Sequence, residues 1–509
     1  MRADLDAARA LMFRHFGHKS FRGAQEKLVT ALLEGRDALG IMPTGAGKSM
    51  CYQIPALMLP GITLVVSPLI SLMQDQVRAL KAAGIAGAYL NSSLTPGQYA
   101  KALNNAARGM YKIIYVAPER LETREFQRFA RSVEISMLAV DEAHCVSQWG
   151  HDFRPSYLGI EGFAASLPVR PVMGAFTATA TPEVRDDILA HLGLREPEVA
   201  VTGFDRENLF FSVARPTDRM ATLLEFVKAR PDESGIVYCS TRKNVERVAE
   251  VLKDNGIPAA GYHAGMDEET RRAVQNEFLF DRVRVMAATN AFGMGIDKRN
   301  VSYVVHFNMP RNMESYYQEA GRAGRDGSEA ECLLLYNGSD VHTARFLIDK
   351  SLEESDLDQK TRAARRKNEL GKLRSMERYC STSGCLRHYI LAYFGEKSPE
   401  KCGKCSSCRQ KARVMSTLKT PAVQQTAKQQ QKSLYELLRS VRMDFAEKAG
   451  LPPELIFTDR TLQLMAKDKP QNENDMKNIP GVGPVKYQAY GKTFLRVIQR
   501  NSDRRSGVE

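Results

Sequence analysis

"MPTGAGKS", residues Met42–Ser49, is the stretch whose reading decides the fold. It follows a short apolar strand and opens a helix. A glycine-rich turn at such a junction aims backbone N–H groups at a phosphate, with the helix dipole behind them. Thr44, Gly45 and Gly47 would shape that cradle, Lys48 would reach the β- and γ-phosphates, and Ser49 would meet Mg²⁺. Met42 stands where the general pattern has its first glycine, and a Thr-Gly-x-Gly-Lys-Ser loop is a known variant. Taken alone, the loop could be a turn that binds nothing.

Outward from this loop, strand-like runs alternate with amphipathic helical stretches from about residue 20 to 340. "ITLVVS" from Ile62, "KIIYVA" from Lys112, "MLAVDEA" from Met137 and "VMGAFTATAT" from Val172 form one set. "SGIVYCST" from Ser234, "AAGYHAG" from Ala259, "VRVMAAT" from Val283 and "SYVVHFN" from Ser302 form a second. Such alternation predicts α/β architecture with parallel sheets, here in two lobes joined near Gly203–Pro216.

Two further motifs belong with the loop. Asp141 and Glu142 close a strand. Adjacent carboxylates repel, and a cation offsets the repulsion. Asp141 would hold Mg²⁺ through water, and Glu142 would orient and deprotonate the attacking water. "YYQEAGRAGRDG", Tyr316–Gly327, supplies Gln318, Arg322 and Arg325. An arginine donated by a second lobe to the transferring phosphate makes its placement depend on lobe closure. An isolated Asp-Glu is usually surface, and a basic glycine-rich turn need not be a finger. Their company with the phosphate loop argues for nucleotide hydrolysis.

The chain has 509 residues, 43% of them hydrophobic, enough for three or four domains. Its net charge of +13 favours a polyanionic partner, nucleic acid above all. The excess is concentrated: residues 360–410 carry thirteen Lys/Arg against four Asp/Glu. No signal-peptide region opens the sequence, and no run reaches a membrane span. The expectation is a cytoplasmic protein without a membrane partner, nucleoid-associated if bacterial. Nine cysteines, five of them between Cys380 and Cys408, fit a reducing compartment and one metal site.

The single tryptophan, Trp149, lies in "DEAHCVSQWGHDFRPSY", Asp141–Tyr157, a run with neither helical nor strand period. Most tryptophans are core residues, but a polar, glycine-flanked setting argues against that here. An indole stacks on any base, for about 1–3 kcal/mol. A few residues from Glu142, such stacking could reposition the catalytic carboxylate.

With these motifs the chain resembles the superfamily 2 helicases, and among them the RecQ-type DNA helicases, from about Phe16 to Arg500. "FGHKSFRGAQ" from Phe16, "VSPLISLMQDQV" from Val66, "YVAPERL" from Tyr115, "FTATAT" from Phe176 and "AFGMGIDKRNV" from Ala291 match in order, as does the arginine motif. The resemblance implies two RecA-like lobes, 1–203 and 204–340. A helical zinc-binding domain (341–410), a flexible linker (411–430) and a small all-α HRDC-like domain (431–505) would follow. It implies that Gln25 reads the adenine edge, flanked by Arg22 and His18. It also implies an aromatic-rich DNA-sensing loop after the acidic pair. Trp149 and Phe153 would be the sensors, and Ser147, Gln148, His151, Asp152 and Arg154 the hinge and coupling groups.

Cys385, Cys402, Cys405 and Cys408 form C-x16-C-x2-C-x2-C, four thiolates suited to tetrahedral Zn²⁺. Cys380 is a fifth candidate, set aside because "CLRHYILAYFGE" matches the stretch that opens with the ligand in the family. Redox chemistry at the two CxxC pairs is the alternative. Near the end, "IPGVGP", Ile479–Pro484, resembles a hairpin turn whose amides can meet a phosphate; a protein-docking bundle competes with that reading. RecQ-type proteins commonly carry a winged helix between the zinc site and the HRDC domain. Here about 24 residues separate Cys408 from Ser433, too few for it.

The implied activity is an ATP-, Mg²⁺- and Zn²⁺-dependent DNA helicase moving 3′ to 5′ on single-stranded DNA. It would act on duplex or branched DNA in recombination and repair. Single-strand-binding and recombination proteins are candidate partners. A DNA-stimulated translocase or annealing factor that unwinds weakly, and an RNA helicase, are the alternatives.

Overall fold

The computed structural model describes residues 4–150, 152–292, 298–354, 358–413 and 426–506. The first lobe is built on seven strands: β1 Ala38–Ile41, β2 Ile62–Val66, β3 Gly87–Leu90, β4 Ile113–Val116, β5 Ile135–Val140, β6 Val172–Thr177 and β7 Glu198–Val201. Their order is β3-β4-β2-β5-β6-β1-β7, and every pairing is parallel. Nearly every position of the central strands is buried, because helices cover both faces of a parallel sheet.

The second lobe has six strands: β8 Leu209–Ala214, β9 Ser234–Tyr238, β10 Ala259–Tyr262, β11 Val285–Ala288, β12 Val301–His306 and β13 Ala330–Leu335. Their order is β10-β11-β9-β12-β13-β8, again all parallel. The stretch read as the joint between the lobes therefore holds a strand of its own, β8, paired with β13.

The strand order explains how distant motifs meet. β5, β6 and β1 lie side by side. The phosphate loop leaves the end of β1, the acidic pair the end of β5, and Thr177–Thr179 the end of β6. All three open on the carboxyl edge of the sheet, where such folds bind ligands.

Beyond the lobes, helices Ser339–Glu353 and Gln359–Ser381 pack together, followed by Leu386–Tyr393 and Ser406–Arg413. Residues 414–425 of the segment read as a linker lie outside the described residues. The C-terminal helices bury a core of their own, with Leu438, Phe457, Met465, Phe494 and Ile498. Among the described residues no helix is long and apolar enough to cross a membrane.

This C-terminal unit docks on both lobes. Arg439 reaches Asp281 at 3.1 Å, and Glu454 accepts from the Arg299 amide at 2.8 Å. Lys298, fully buried, pairs with Asp281 and lies 3.7 Å from Glu454. The "IPGVGP" turn packs against the first lobe, and its Pro480 and Gly481 line the cavity shared with the phosphate loop. Gly481 N–H donates to Gly17 O at 3.3 Å, and a Cβ on Gly483 would stand 2.5 Å from Phe13 O. The turn needs glycine because it lies against the end of the first helix, Leu5–Phe16.

Candidate active site and nucleic-acid interface

A cavity of about 500 Å³ lies where the lobes meet. Its wall includes Thr44, Gly45, Gly47, Lys48 and Ser49 of the phosphate loop, with His18, Arg22 and Gln25 beside them. Asp141 and Glu142 face it from the first lobe, and Gln318, Arg322 and Arg325 from the second. Sequence positions as far apart as His18 and Arg325 thus share one enclosure.

The loop takes its shape from glycine. Gly45 and Gly47 have φ of 86° and 82°, a region costly for other residues. A Cβ on Gly47 would lie 2.6 Å from Gln25 Nε2. Gln25 is buried and ties the loop to the preceding motif. Its Nε2 donates to Ala46 O at 2.9 Å and Gly47 O at 3.2 Å, and its Oε1 accepts from Arg22 N–H at 2.8 Å. Lys48 Nζ donates to Met42 O at 3.1 Å, and burial lowers its pKa.

Burial, reinforced by the Glu142 charge, pushes Asp141 up to about 7. A carboxyl so placed calls for a cation. Glu142 has φ of 49°, left-handed for a non-glycine residue, a strain concentrated at functional sites. Its Oε2 lies 3.3 Å from His144 Nδ1. Burial brings His144 down to about 4, so the imidazole is neutral at physiological pH. His144 Nδ1 also meets Thr177 Oγ1 at 2.8 Å, while that hydroxyl donates to Thr179 O. The acidic pair is thereby joined to the end of β6.

The helix Met313–Ala320, capped by Asn312 through Ser315 N–H, carries Gln318. Arg322 follows on the next turn, only 5% exposed, and its buried Nε has no hydrogen-bond partner among the described residues. A guanidinium with an unused donor beside a phosphate cradle is equipped to meet an anion. The lobes are close here: a Cβ on Gly45 would lie 3.7 Å from the Arg325 backbone.

Sequence reasoning missed three cations at this seam. Arg206 donates to Thr44 O at 2.8 Å on one side and to Gly321 O, Ala323 O and Gly324 O at 2.9–3.2 Å on the other. It clamps the phosphate loop to the arginine loop. Arg299 and Lys486 line the cavity near His18. Burial, then the charges of Arg22, Arg299 and Lys486, bring His18 down to about 4; burial and Arg299 bring Lys486 down to about 7. Nothing local marks these residues. Across the seam Arg206 binds backbone carbonyls, which every residue type supplies.

The loop after the acidic pair folds back on it. A Cβ on Gly150 would lie 2.6 Å from His144 O. Ser147 is buried, donates to Asp187 at 2.6 Å and accepts from the Trp149 amide at 3.1 Å. Trp149 is 48% exposed, the opposite of a core residue, and Gln148 beside it is also exposed. Phe153 is half-buried. Arg154 binds Asp152 through Nε and Nη2 and donates from Nη1 to Pro68 O at 2.6 Å, tying this loop to the one after β2. His151 lies outside the described residues.

Cys385, Cys402, Cys405 and Cys408 bring their sulfurs within 4.8 Å of one another. Tetrahedral zinc at ~2.3 Å sets its thiolates ~3.8 Å apart, and Cys385 and Cys405 are 3.8 Å apart. The donor set fits that ion. Cys380 stands outside the group, buried, with its carbonyl accepting from Arg215 at 3.1 Å.

Comparison with known proteins agrees with this layout. Residues 22–188 match the DEAD/DEAH box helicase model and 218–327 the helicase conserved C-terminal domain. Residues 338–409 match the RecQ zinc-binding model and 431–498 the HRDC domain. ATP-dependent DNA helicase RecQ of Bacillus subtilis is 38% identical, covering 97% of this chain and 99% of the relative. The Haemophilus influenzae protein of the same name is 36% identical, covering 96% and 94%. The Bacillus alignment runs over 592 positions, so about a hundred have no residue in this 509-residue chain. Among solved structures, the helicase Lhr of Mycobacterium smegmatis, bound to single-stranded DNA and AMP-PNP, superposes with TM-score 0.52 at 17% identity, covering 89% of this chain and 72% of that one. Dbp5 of S. cerevisiae, bound to RNA, gives 0.53 at 16%, covering 77% and 91%. DNA- and RNA-bound proteins share the fold, so it does not choose the nucleic acid.

Proposed function

The chain belongs to the RecQ family of ATP-dependent DNA helicases, and on that premise we propose that it moves 3′ to 5′ along single-stranded DNA and opens duplex or branched DNA in recombination and repair. The observation that carries this reading is the shared cavity. The phosphate loop and acidic pair of one lobe face the arginines of the other, and the exposed Trp149 leaves the same strand end.

The phosphate-loop amides and Lys48 are placed for the β- and γ-phosphates, while Ser49 and Asp141 would hold Mg²⁺, which would supply charge neutralisation to the transferring group. Glu142 takes the proton of the attacking water. Gln318, Arg322 and Arg325 supply donors to the phosphate from the second lobe, so hydrolysis and lobe closure proceed together. His18, Arg22 and Gln25 bound the base, Gln25 doing so while bonded to the loop. Trp149 and Phe153 meet the strand. Ser147, Gln148, His151, Asp152 and Arg154 are the hinge and coupling groups, and Arg154 carries the link to the loop at Pro68. Cys385, Cys402, Cys405 and Cys408 would hold Zn²⁺, which would supply a structural crosslink fixing the basic helices before it as a DNA-facing surface.

A second reading has a specific observation behind it. The zinc-binding match ends at residue 409 and the HRDC match begins at 431. No winged helix fits in that interval. A translocase or annealing factor with weak unwinding would follow.

Matched duplexes with a 3′ DNA tail, a 5′ DNA tail or a 3′ RNA tail, given ATP and Mg²⁺ at low salt, separate these readings. Opening of the 3′-tailed DNA alone is the expected result. DNA-stimulated hydrolysis without strand separation would move the assignment to the translocase, and equal use of the RNA tail would overturn the DNA preference.

A further inference from the structure

Lys372 is a lysine with almost no access to water. It sits on the helix Gln359–Ser381 of the zinc-binding module and is 8% exposed. Its ammonium donates to Trp149 O at 2.6 Å and Gly150 O at 3.2 Å. It also lies 3.8 Å from Glu314 Oε1 and 3.9 Å from Glu369 Oε1. One side chain therefore joins the aromatic loop of the first lobe, the helix of the second lobe that leads to Arg322, and the zinc-binding module. Glu314 lies in the first turn of that helix, Met313–Ala320, one turn before Gln318, and is itself 5% exposed.

A buried ammonium must keep its acceptors, because losing one leaves charge unsolvated. Two of its acceptors here are successive backbone carbonyls, that of Trp149 itself and that of the next residue, Gly150. Any displacement of that loop withdraws them. The ammonium is then left against Glu314 and Glu369, and its pull on Glu314 strengthens as competition from the carbonyls ends. Glu314 begins the helix that positions Gln318 and Arg322, so a change at Trp149 reaches the phosphate-facing groups of the opposite lobe. Arg154 and Ser147 tie the loop only to the first lobe.

We infer that Lys372 is a positioning residue that couples strand contact at Trp149 to the placement of Arg322, through its bonds to the Trp149 and Gly150 carbonyls and its pairing with Glu314. The inference rests on the reading that Trp149 meets single-stranded DNA. It assigns to the zinc-binding module a part in coupling, not only in DNA grip.

Trp149 is the only tryptophan in the chain, so its fluorescence reports the loop without labelling. The test titrates oligo-dT into the full-length protein, into Lys372→Met and Lys372→Arg, and into the near-isosteric Glu314→Gln. Trp149 emission and ATP hydrolysis are followed together. The expected result is that Lys372→Met and Glu314→Gln still show the emission change, with KM for ATP little altered. The ratio of DNA-stimulated to basal hydrolysis should fall at least about fivefold, the scale of coupling between sites. Lys372→Arg, which keeps the charge, should retain more stimulation than Lys372→Met. A wild-type ratio in either uncharged variant would overturn the inference, as would loss of the emission change together with stimulation, since Lys372 would then only fold the loop. If Lys372→Met does not fold, Glu314→Gln decides alone. Absence of any emission change in the unaltered protein would instead overturn the strand-contact reading and take the coupling with it.

Discussion

Glu142→Gln is expected to lower the rate of ATP hydrolysis by about 10²–10⁴-fold, the span of general-base catalysis, while leaving ATP binding nearly intact. The substitution keeps the shape and one oxygen of the side chain and removes only its basicity. The groups that hold the phosphates lie elsewhere, on the loop between Met42 and Ser49, and that loop is braced by Gln25 and Arg206 rather than by Glu142. Single-turnover hydrolysis beside a nucleotide-binding titration checks this. A loss of affinity that accounted for the whole loss of rate would make Glu142 a binding group instead.

The neighbouring Asp141 adds a pH dependence with a definite sign. Burial, then the Glu142 charge, raises it to about 7, above the value near 4 of an exposed carboxyl. The folded, metal-free protein therefore holds this proton longer than the unfolded chain does. It loses stability as pH rises from about 4 to about 7, where the buried carboxyl ionises. A cation competes with that proton, so Mg²⁺ should raise the melting temperature more at pH 8 than at pH 6. In Glu142→Gln the neighbouring charge is gone and the pH step should move downward. An Mg²⁺ effect equal at the two pH values would remove Asp141 from the metal site.

Much of this site was legible in sequence because its chemistry demands particular side chains. A phosphate cradle needs glycines followed by Lys48; a metal and a water need adjacent carboxylates; a base needs an aromatic face. The strands that carry these groups are mostly apolar, with β5 and β6 each six residues long. What escaped the reading is of two kinds. β3 and β7 are four-residue edge strands, one rich in small residues and the other with Val199 and Val201 half-exposed, so neither shows a strong apolar run. β8 and β13, the outer pair of the second sheet, escape it too, β8 because it lies in the stretch read as the joint. Arg206, and Lys372 in its two hydrogen bonds to the aromatic loop, act on backbone carbonyls brought from far along the chain. A carbonyl is the same on every residue, so neither the donor nor its acceptors leave a local pattern. The docking of the C-terminal unit is similar. The glycines of "IPGVGP" were visible, but whether they serve a phosphate or a close approach to Phe13 and Gly17 depends on which surface they face.

Removing the metal from the four-cysteine site should damage more than DNA binding. A structural zinc contributes an apparent ~10–16 kcal/mol to the module that holds it, comparable with the ~5–15 kcal/mol total stability of a domain. Cys385 is at once a member of the sulfur cluster and the N-cap of the helix Leu386–Tyr393. From that helix Arg387 binds Asp205 and donates to Arg206 O at 2.8 Å and Leu209 O at 2.5 Å. Phe394, just past its end, stacks on Phe204 with centroids 4.5 Å apart and planes 15° apart. These contacts brace the segment 204–209 that presents Arg206 to the phosphate loop and the arginine loop. Stripping the ion, or replacing the fully buried Cys405 by serine, should therefore lower the first melting transition by more than about 10 °C. It should also reduce ATP hydrolysis even at saturating DNA. Calorimetry and hydrolysis, measured as a chelator releases one equivalent of zinc per chain, check both parts. Zinc release with an unchanged melting transition would make the site peripheral to the fold. A fall in DNA affinity with full hydrolysis at saturating DNA would confine its influence to the basic helices and leave Arg206 placed without it.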